Sequence, residues 1–171
     1  LNHVVCGDVE DPQLAIPLVD GEKYDCLVYG DVLEHLRDPW AVVQRHLGLL
    51  SDRGIVLACI PNVQHWSVVA NLLAGQWPLA DQGLFDRTHL RWFTRNTILE
   101  WFRTLKLNIY DFQPRIFGLE QSKEFVGKLL PALNNLQLEP QKVLEGMAPL
   151  QYVIAAGRTP RQSLFVEGFS A

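Results

Sequence analysis

The chain has 171 residues, of which 48% are hydrophobic and 20% are charged, and its formal net charge is −4 at pH 7. This length fits one domain that can bury a core of its own. The acidic balance disfavours bulk electrostatic binding to nucleic acid or to an anionic membrane, because both need a basic face. We therefore expect neither a nucleic-acid partner nor a membrane partner.

The predicted elements come from the spacing of apolar residues. Continuous apolar runs are typical of strands buried on both faces of a parallel sheet, and apolar residues every third or fourth position are typical of helices. In chain order we predict a strand at 1–6, a strand at 24–29, a helix that starts at Asp38-Pro39, a strand at 55–60, a helix that ends at Gly75, a helix capped by Thr94, a strand at 107–117, a short amphipathic helix around 125–130, a polar connection at 131–140 and a strand at 150–156.

This order of elements favours an α/β fold, because strands alternate with helices. We predict a partial Rossmann-like, doubly wound sheet that is mostly parallel. Only a short helix separates the last two strands, so we predict an antiparallel edge strand there. Residues 1–157 form this domain and residues 158–171 form a tail. Because the first strand has no preceding turn and no initiator Met, we expect a portion of a longer protein.

A polar cluster follows the strand at 24–29. Gly30 provides a sharp exit, and Asp31, Glu34 and His35 come directly after it. In open α/β sheets ligands bind at the carboxyl ends of the strands. The sequence therefore predicts a ligand site at this edge.

A second candidate segment is the loop at 76–93, which shows no sustained period. Loops of this length inside a domain are often functional. Alternation in an extended segment would place Arg87, His89 and Arg91 on one side, and with Arg95 they would offer donors to a carboxylate or phosphate. A loop held by surface ion pairs is the other interpretation. Trp77 is our candidate for a pocket wall or lid.

The cysteines give no sign of a metal cluster or redox pair. Cys6, Cys26 and Cys59 lack C-x-x-C spacing and lie in or beside apolar runs. Buried thiols in a reducing compartment are the plainer interpretation. No apolar run approaches the roughly 20 residues that span a bilayer, and the first residues lack a signal-peptide pattern. We expect a soluble, cytoplasmic protein.

Five short sequence segments together resemble those of class I S-adenosylmethionine-dependent methyltransferases, in a subgroup found in bacterial sugar and cell-surface gene contexts. They are Gly7-Asp8, Asp31-Val-Leu-Glu-His35, Gly54-Ile-Val-Leu-Ala-Cys-Ile-Pro-Asn62, Asp86-Arg-Thr-His-Leu-Arg-Trp-Phe-Thr94 and Gln151-Tyr-Val-Ile-Ala-Ala. The family also has an earlier strand, a Gly-x-Gly loop and a second strand that ends in an acid. No counterpart of these occurs in the chain, so the resemblance is to the family without its N-terminal portion.

The resemblance implies S-adenosylmethionine as the cofactor and a small molecule as the methyl acceptor, with a saccharide or a phenolic hydroxyl as candidates. Asp8 would accept a hydrogen bond from the adenine amino group, and Val9 would pack on the ring. Tyr29, Gly30 and Asp31 would contact the methionine part of the cofactor. The residues alone leave two alternatives open, because Asp8 can cap its own turn and Gly30 can serve a tight turn.

His35 is the candidate general base for an acceptor hydroxyl, with His89 as a second candidate. Imidazole titrates near neutral pH, which suits proton removal. A buried histidine with only a structural hydrogen bond is the alternative. The cluster of Asp31, Glu34, His35 and His89 could instead hold a metal ion, as in some related methyltransferases. We expect no metal, because adjacent residues such as Glu34 and His35 point apart on a helix.

Two further functions remain open. A non-catalytic binding module could form a homodimer, because the missing strands would leave an unpaired sheet edge. A metal-dependent hydrolase could use the acid and histidine cluster.

Overall fold

The computed structural model describes residues 3–18 and 21–160. The strands are β1 (Tyr24–Gly30), β2 (Leu50–Pro61), β3 (Asn108–Ile116) and β4 (Pro149–Gly157). The helices are α1 (Pro39–His46), α2 (Trp66–Leu73), α3 (Arg95–Thr104), α4 (Leu119–Asn135) and α5 (Pro140–Met147). Single 3₁₀ turns cover Leu33–His35, Leu47–Leu49 and Gly83–Phe85.

The four strands form one open sheet in the order β1-β2-β4-β3. β1 pairs with β2 in parallel, whereas β4 is antiparallel to both β2 and β3. The strands β1, β2 and β3 therefore point the same way, and β4, which lies between β2 and the edge strand β3, runs against both. The predicted mixed α/β sheet with an antiparallel edge is confirmed.

Two helix starts follow the capping signals in the sequence. The Asp38 carboxylate accepts a hydrogen bond from the Ala41 backbone N–H at 3.0 Å, and Pro39 occupies the first turn of α1. Thr94 and Thr97 form a reciprocal capping box at the start of α3. Such caps satisfy backbone donors that the first helical turn leaves free.

The core lies on one face of the sheet, beneath α1 and α3. Side chains from both helices and from the central strands are almost completely inaccessible to solvent there. This burial supplies the main favourable free energy of folding, at roughly 25 cal/mol per Å² of apolar surface. The members include Val42, Val43, Val56, Ala58, Ile60, Ile98, Phe102 and Ile154.

The opposite face of the sheet is apolar but partly open. Val28 of β1 is 65% exposed, and its partner Leu57 of β2 is only half-buried. Cys26 is exposed on the same face of β1, and Cys6 is exposed in the preceding segment. The prediction of buried thiols was therefore wrong for Cys6 and Cys26, because the described elements around them leave both side chains accessible to solvent.

The first predicted strand, at 1–6, is absent where the structure describes it. Residues 3–6 have no regular structure, and Val4 is 79% exposed. An apolar run forms a stable strand only beside a hydrogen-bonding neighbour, and these residues pair with no strand of the described sheet. Residues 1–2 lie outside the described residues, and so does the predicted tail beyond residue 160.

The helices α2, α4 and α5 form a second apolar cluster around Val126, Leu133 and Met147. The sequence predicted only a short helix near 125–130 and a polar connection at 131–140. That prediction was wrong, because α4 continues through Pro131 and α5 follows directly. Within the described residues, no helix is long and apolar enough to cross a membrane.

Candidate active site

A cavity of about 260 Å³ lies at the carboxyl edge of β1 and β2. The turn after β1, the end of β2, the loop at 76–93 and the start of β4 form its walls. The structure thus brings the two polar segments that the sequence singled out to one place. The lining residues are Asp31, Glu34, His35, Pro61, Gly83, Leu84, Asp86, His89, Leu150 and Gln151.

The exit from β1 depends on Asp31 rather than on Gly30. Asp31 has a φ of 50°, in the left-handed region that Asp tolerates better than most residues. Gly30 still belongs to the strand, and a Cβ added there would meet nothing within 4 Å. The tight turn that was one interpretation of Gly30 therefore falls on Asp31 instead. A side chain at position 30 would meet open space, one residue before Asp31 of the cavity wall.

Glu34 anchors the loop at 76–93 through its backbone. Its carbonyl accepts hydrogen bonds from the backbone N–H groups of Leu90 at 2.7 Å and of Arg91 at 3.0 Å. Its side chain is only 1% exposed, and its Oε2 has no hydrogen-bond partner. Burial raises the pKa of this carboxyl, and the negative charges of Asp31 and Asp86 add to the effect. A buried, unpartnered oxygen of this kind calls for a proton or a cation.

His89 completes a cluster with Glu34 and His35. The His89 Nε2 lies 3.9 Å from the Glu34 Oε1, and the two imidazole rings meet edge to face with centroids 4.7 Å apart. One ligand atom from each of the three residues lies within 4.8 Å of the others. Burial lowers the pKa of His89, and the neighbouring His35 adds to this.

The expectation that Glu34 and His35 point apart was wrong, because they lie in a single 3₁₀ turn that the loop folds over. A carboxylate and two imidazoles form a donor set that suits a divalent transition metal. The unpartnered Glu34 Oε2 fits such an ion, since a cation would satisfy it. The geometry therefore admits a metal ion that the sequence argument disfavoured.

Thr88 and Asp86 support His35 from the loop. The Thr88 hydroxyl lies 3.0 Å from the His35 Nδ1 and donates to the Asp86 Oδ1 at 2.6 Å. The Thr88 carbonyl oxygen lies 3.3 Å from the same ring nitrogen. Sequence reasoning assigned no role to Thr88 and placed Asp86 only among the surface ion pairs that would hold the loop, although both belong to the segment Asp86-Arg-Thr-His89 that it singled out.

Asp8 and Val9 lie beside the segment that follows His35. The Asp8 Oδ1 accepts a hydrogen bond from the Glu10 backbone N–H at 2.9 Å, and its Oδ2 lies 3.5 Å from the Arg37 guanidinium. Val9 packs against the main core, and its carbonyl accepts from Arg45 at 2.5 Å. The turn that was one interpretation of Asp8 is therefore present. Neither Asp8 nor Val9 lines the cavity described above.

The Tyr29 side chain belongs to the core rather than to the cavity. It is buried, and its hydroxyl lies 3.0 Å from the His46 Nδ1 of α1. Burial raises the pKa of this hydroxyl. Only the backbone of Tyr29 remains available for a ligand at the strand exit.

The remaining candidates, Trp77 and three arginines, do not line the cavity. Trp77 packs against two other residues of the loop, with its ring 5.2 Å from Phe85 and 6.0 Å from Trp92. Arg87 pairs with Asp81 at 2.9 Å, so the surface ion pair that was one interpretation is present. The other two arginines contact aromatic rings, Arg91 over Trp40 and Arg95 over Phe112. The three arginines therefore do not join His89 in a common set of donors for a carboxylate or phosphate.

Solved structures similar to this chain include three methyltransferases at low identity. A SAM-dependent methyltransferase from Thermotoga maritima is 12% identical, with a TM-score of 0.48 over 81% of this chain and 57% of its own. Magnesium protoporphyrin IX methyltransferase from Synechocystis PCC 6803, solved with SAH, is 13% identical, with a TM-score of 0.48 over 81% of this chain and 47% of its own. A protein from Bacillus halodurans C-125 described as a methyltransferase is 14% identical, with a TM-score of 0.49 over 90% of this chain and 70% of its own.

This chain thus spans about half the length of the first two of these structures. None of the curated proteins matches it. A family model does match, and its description is "Methyltransferase domain". Because that match covers residues 4–111, which is more than half of the chain, the chain belongs to the methyltransferase domain family.

Proposed function

We propose that this chain is part of a cytoplasmic S-adenosylmethionine-dependent methyltransferase whose acceptor is a hydroxyl group of a small molecule, such as a saccharide or a phenol. Residues 1–157 would form the C-terminal portion of its catalytic domain. The observation that carries the proposal is the convergence of His35, His89 and Asp31 on one cavity beside the open Gly30. Membership of the methyltransferase domain family supplies the reaction class.

The residues at the exit of β1 suit the cofactor's methionine part. Bound S-adenosylmethionine supplies an electrophilic methyl group on a positively charged sulfur. Asp31 offers a carboxylate at the cavity wall, and a carboxylate suits an ammonium group. Gly30 leaves room for a ligand to approach the backbone closely. Asp8 and Val9 remain our candidates for the adenine end, because the Asp8 side chain is 59% exposed.

The histidines suit the acceptor side. As the new bond from oxygen to methyl forms and the bond from sulfur to methyl breaks, the acceptor hydroxyl must lose its proton. A neutral imidazole can take that proton. Burial lowers the pKa of His89, so its neutral form prevails at pH 7. His35 lies next to it and remains the first candidate base, with His89 as the second.

Isothermal titration of the chain with S-adenosylhomocysteine tests the cofactor site. We expect binding by the wild type and a loss of at least about tenfold, which is 1.4 kcal/mol, in Asp31→Ala. Asp52→Ala is the matched control, because Asp52 is an exposed carboxylate at the opposite end of β2. Absence of heat with the wild-type chain would contradict cofactor binding by this portion.

A second candidate function is a binding module that dimerises. Two observations favour it: within the described residues β1 pairs only with β2, and Val28 lies exposed on an apolar sheet face. Free strand edges invite pairing with another chain. Light scattering on the purified chain tests this function, because it measures whether the chain is a monomer or a dimer. A strict monomer would rule out the homodimer.

A divalent cation is the second candidate ligand of the cavity. Glu34, His35 and His89 would hold it, and it would supply a Lewis acid that lowers the pKa of an acceptor hydroxyl. Cobalt(II) added to the chain should produce visible absorption bands in the wild type that are lost in His89→Gln. Equal spectra of the two proteins would contradict the site.

A further inference from the structure

The hydrogen bonds around Thr88 fix the direction of the bond to His35. A hydroxyl has a single proton, and an ionised carboxylate only accepts. Since the Thr88 Oγ1 lies 2.6 Å from the Asp86 Oδ1, the hydroxyl proton points at Asp86. Toward the His35 Nδ1, 3.0 Å away, the same oxygen therefore presents a lone pair.

The second atom that faces the His35 Nδ1 is also an acceptor. It is the Thr88 carbonyl oxygen, at 3.3 Å. With only acceptors among these neighbours, the Nδ1 must carry a proton for either contact to be a hydrogen bond. In a neutral imidazole the other nitrogen, Nε2, is then unprotonated.

We propose that Asp86 and Thr88 are positioning residues, which hold His35 as the Nδ1–H tautomer and so leave its Nε2 as the basic nitrogen at the cavity. The catalytic value of this arrangement rests on the proposed function, but the tautomer does not. A carboxylate that fixes the tautomer of a catalytic histidine is a known catalytic device. Here a threonine hydroxyl stands between the carboxylate and the ring.

Hydrogen bonds other than those of the Thr88 hydroxyl hold the loop and the Asp86 carboxylate in place. The Thr88 N–H donates to the Asp86 Oδ1 at 2.8 Å, which holds the carboxylate in place. The N–H groups of Leu90 and Arg91 both donate to the Glu34 carbonyl, so the loop is tied to the turn that carries His35. Removing the Thr88 hydroxyl should therefore change the proton position and leave the loop where it is.

Nitrogen-15 NMR of the imidazole groups reads the tautomer directly. At a pH where His35 is neutral, long-range proton–nitrogen correlation should show a protonated Nδ1 and an unprotonated Nε2 in the wild type. Comparison with His35→Gln assigns the signals among the five histidines. A wild-type ring protonated on Nε2 would overturn the proposal.

Substitutions test the effects of Thr88 and Asp86 on the His35 tautomer separately. Thr88→Val removes the hydroxyl at nearly constant shape and should shift His35 toward the Nε2–H form, whereas Thr88→Ser should keep Nδ1–H. Asp86→Ala should also shift the tautomer, because the freed hydroxyl can then donate to Nδ1. Asp81→Ala removes another carboxylate of the same loop, one that pairs with Arg87 at the surface, and should change nothing at His35.

A His35 that stays Nδ1–H in both Thr88→Val and Asp86→Ala would overturn the positioning role. If Thr88→Val does not fold, the comparison of Asp86→Ala with Asp81→Ala decides alone. In a methyl-transfer assay of the complete protein, we expect Thr88→Val to lower kcat by roughly tenfold or more relative to the wild type, and Thr88→Ser to restore it. If the complete wild-type protein transfers no methyl group, the proposed function fails, while the tautomer measurement still decides this inference.

Discussion

The rings of His35 and His89 meet edge to face, with 4.7 Å between their centroids. They come from distant segments, the 3₁₀ turn after β1 and the loop at 76–93. Backbone hydrogen bonds from Leu90 and Arg91 to the Glu34 carbonyl join these segments. Since the backbone brings the rings together, substitutions of the cavity side chains should alter chemistry more than folding.

Glu34→Gln tests whether the buried carboxyl is neutral in the absence of a cation. Burial raises the pKa of Glu34, and a protonated carboxyl resembles an amide in shape. We therefore expect a change of less than about 1 kcal/mol in the free energy of unfolding at pH 7, measured with urea. The affinity for cobalt(II) should fall at least about tenfold, because an amide carries no charge.

The control for this substitution is Glu120→Gln, whose carboxylate is exposed on α4 and pairs with Lys123. It should leave both the stability and the cobalt(II) affinity close to those of the wild type. A Glu34→Gln variant that binds cobalt(II) as tightly as the wild type would exclude Glu34 as a ligand.

Gly30→Ala should separate ligand binding from folding. The added methyl group meets no atom within 4 Å, and the residue needs no left-handed conformation. We expect the free energy of unfolding to stay constant or rise by about 0.4–1 kcal/mol. Affinity for S-adenosylhomocysteine should fall, because the methyl group occupies the space left for the cofactor. Gly48→Ala, which also meets nothing within 4 Å, should leave that affinity unchanged.

Asn62→Ala should be one of the most destabilising single changes in the chain. Asn62 is fully buried, and its Nδ2 donates to the Gly146 carbonyl at 2.8 Å and to the Pro149 carbonyl at 2.7 Å. Its Oδ1 accepts from the Gln64 N–H at 3.0 Å. Leaving a buried carbonyl without a partner costs about 1–3 kcal/mol, so for two carbonyls we expect a loss of roughly 2–6 kcal/mol in urea unfolding.

Asn71→Ala is the matched control for Asn62, because the Asn71 amide makes a single hydrogen bond to Ser67 within α2. We expect it to cost less than about 1 kcal/mol. Equal losses in the two variants would show that the Asn62 bridge between β2 and the start of β4 contributes little.

The sequence predicted those parts of the fold that local signals specify. The apolar runs of β1 and β4 and the caps at Asp38 and Thr94 are local features, and each lies where it was predicted. The strand predicted at 55–60 is present as part of β2, which begins earlier, at Leu50. The length of α4 is not local, because Pro131 alone predicts an end to the helix. Contacts of Val126 and Leu133 with Met147 of α5 override that signal.

The candidate site was predictable only in part, for a related reason. The convergence of strand ends follows from the geometry of any α/β sheet, so the polar residues after β1 could be placed. The relation of His35 to Thr88 depends on how an irregular loop folds back, and no periodicity encodes that. Likewise, the burial of the Tyr29 side chain against His46 depends on how α1 packs on β1, which no local sequence pattern specifies.

His65 should make stability depend on pH below neutrality. It is buried beside α2, its Nδ1 lies 2.8 Å from the Ser67 hydroxyl, and burial lowers its pKa to about 4. In the unfolded chain a histidine titrates near pH 6.5. As the pH falls from about 6.5 to about 4, the unfolded state takes up a proton that the folded state refuses, so stability decreases. Over this range the loss should approach roughly 3 kcal/mol.

His65→Asn isolates this effect, because asparagine can still cap α2 but does not titrate. Urea unfolding of both proteins at pH 7 and at pH 4.5 should show a smaller loss of stability in the variant. The contribution of His46, whose pKa burial also lowers, is present in both proteins and cancels in the comparison. Identical pH dependence in the two proteins would mean that His65 gains a proton in the folded state as readily as in the unfolded chain.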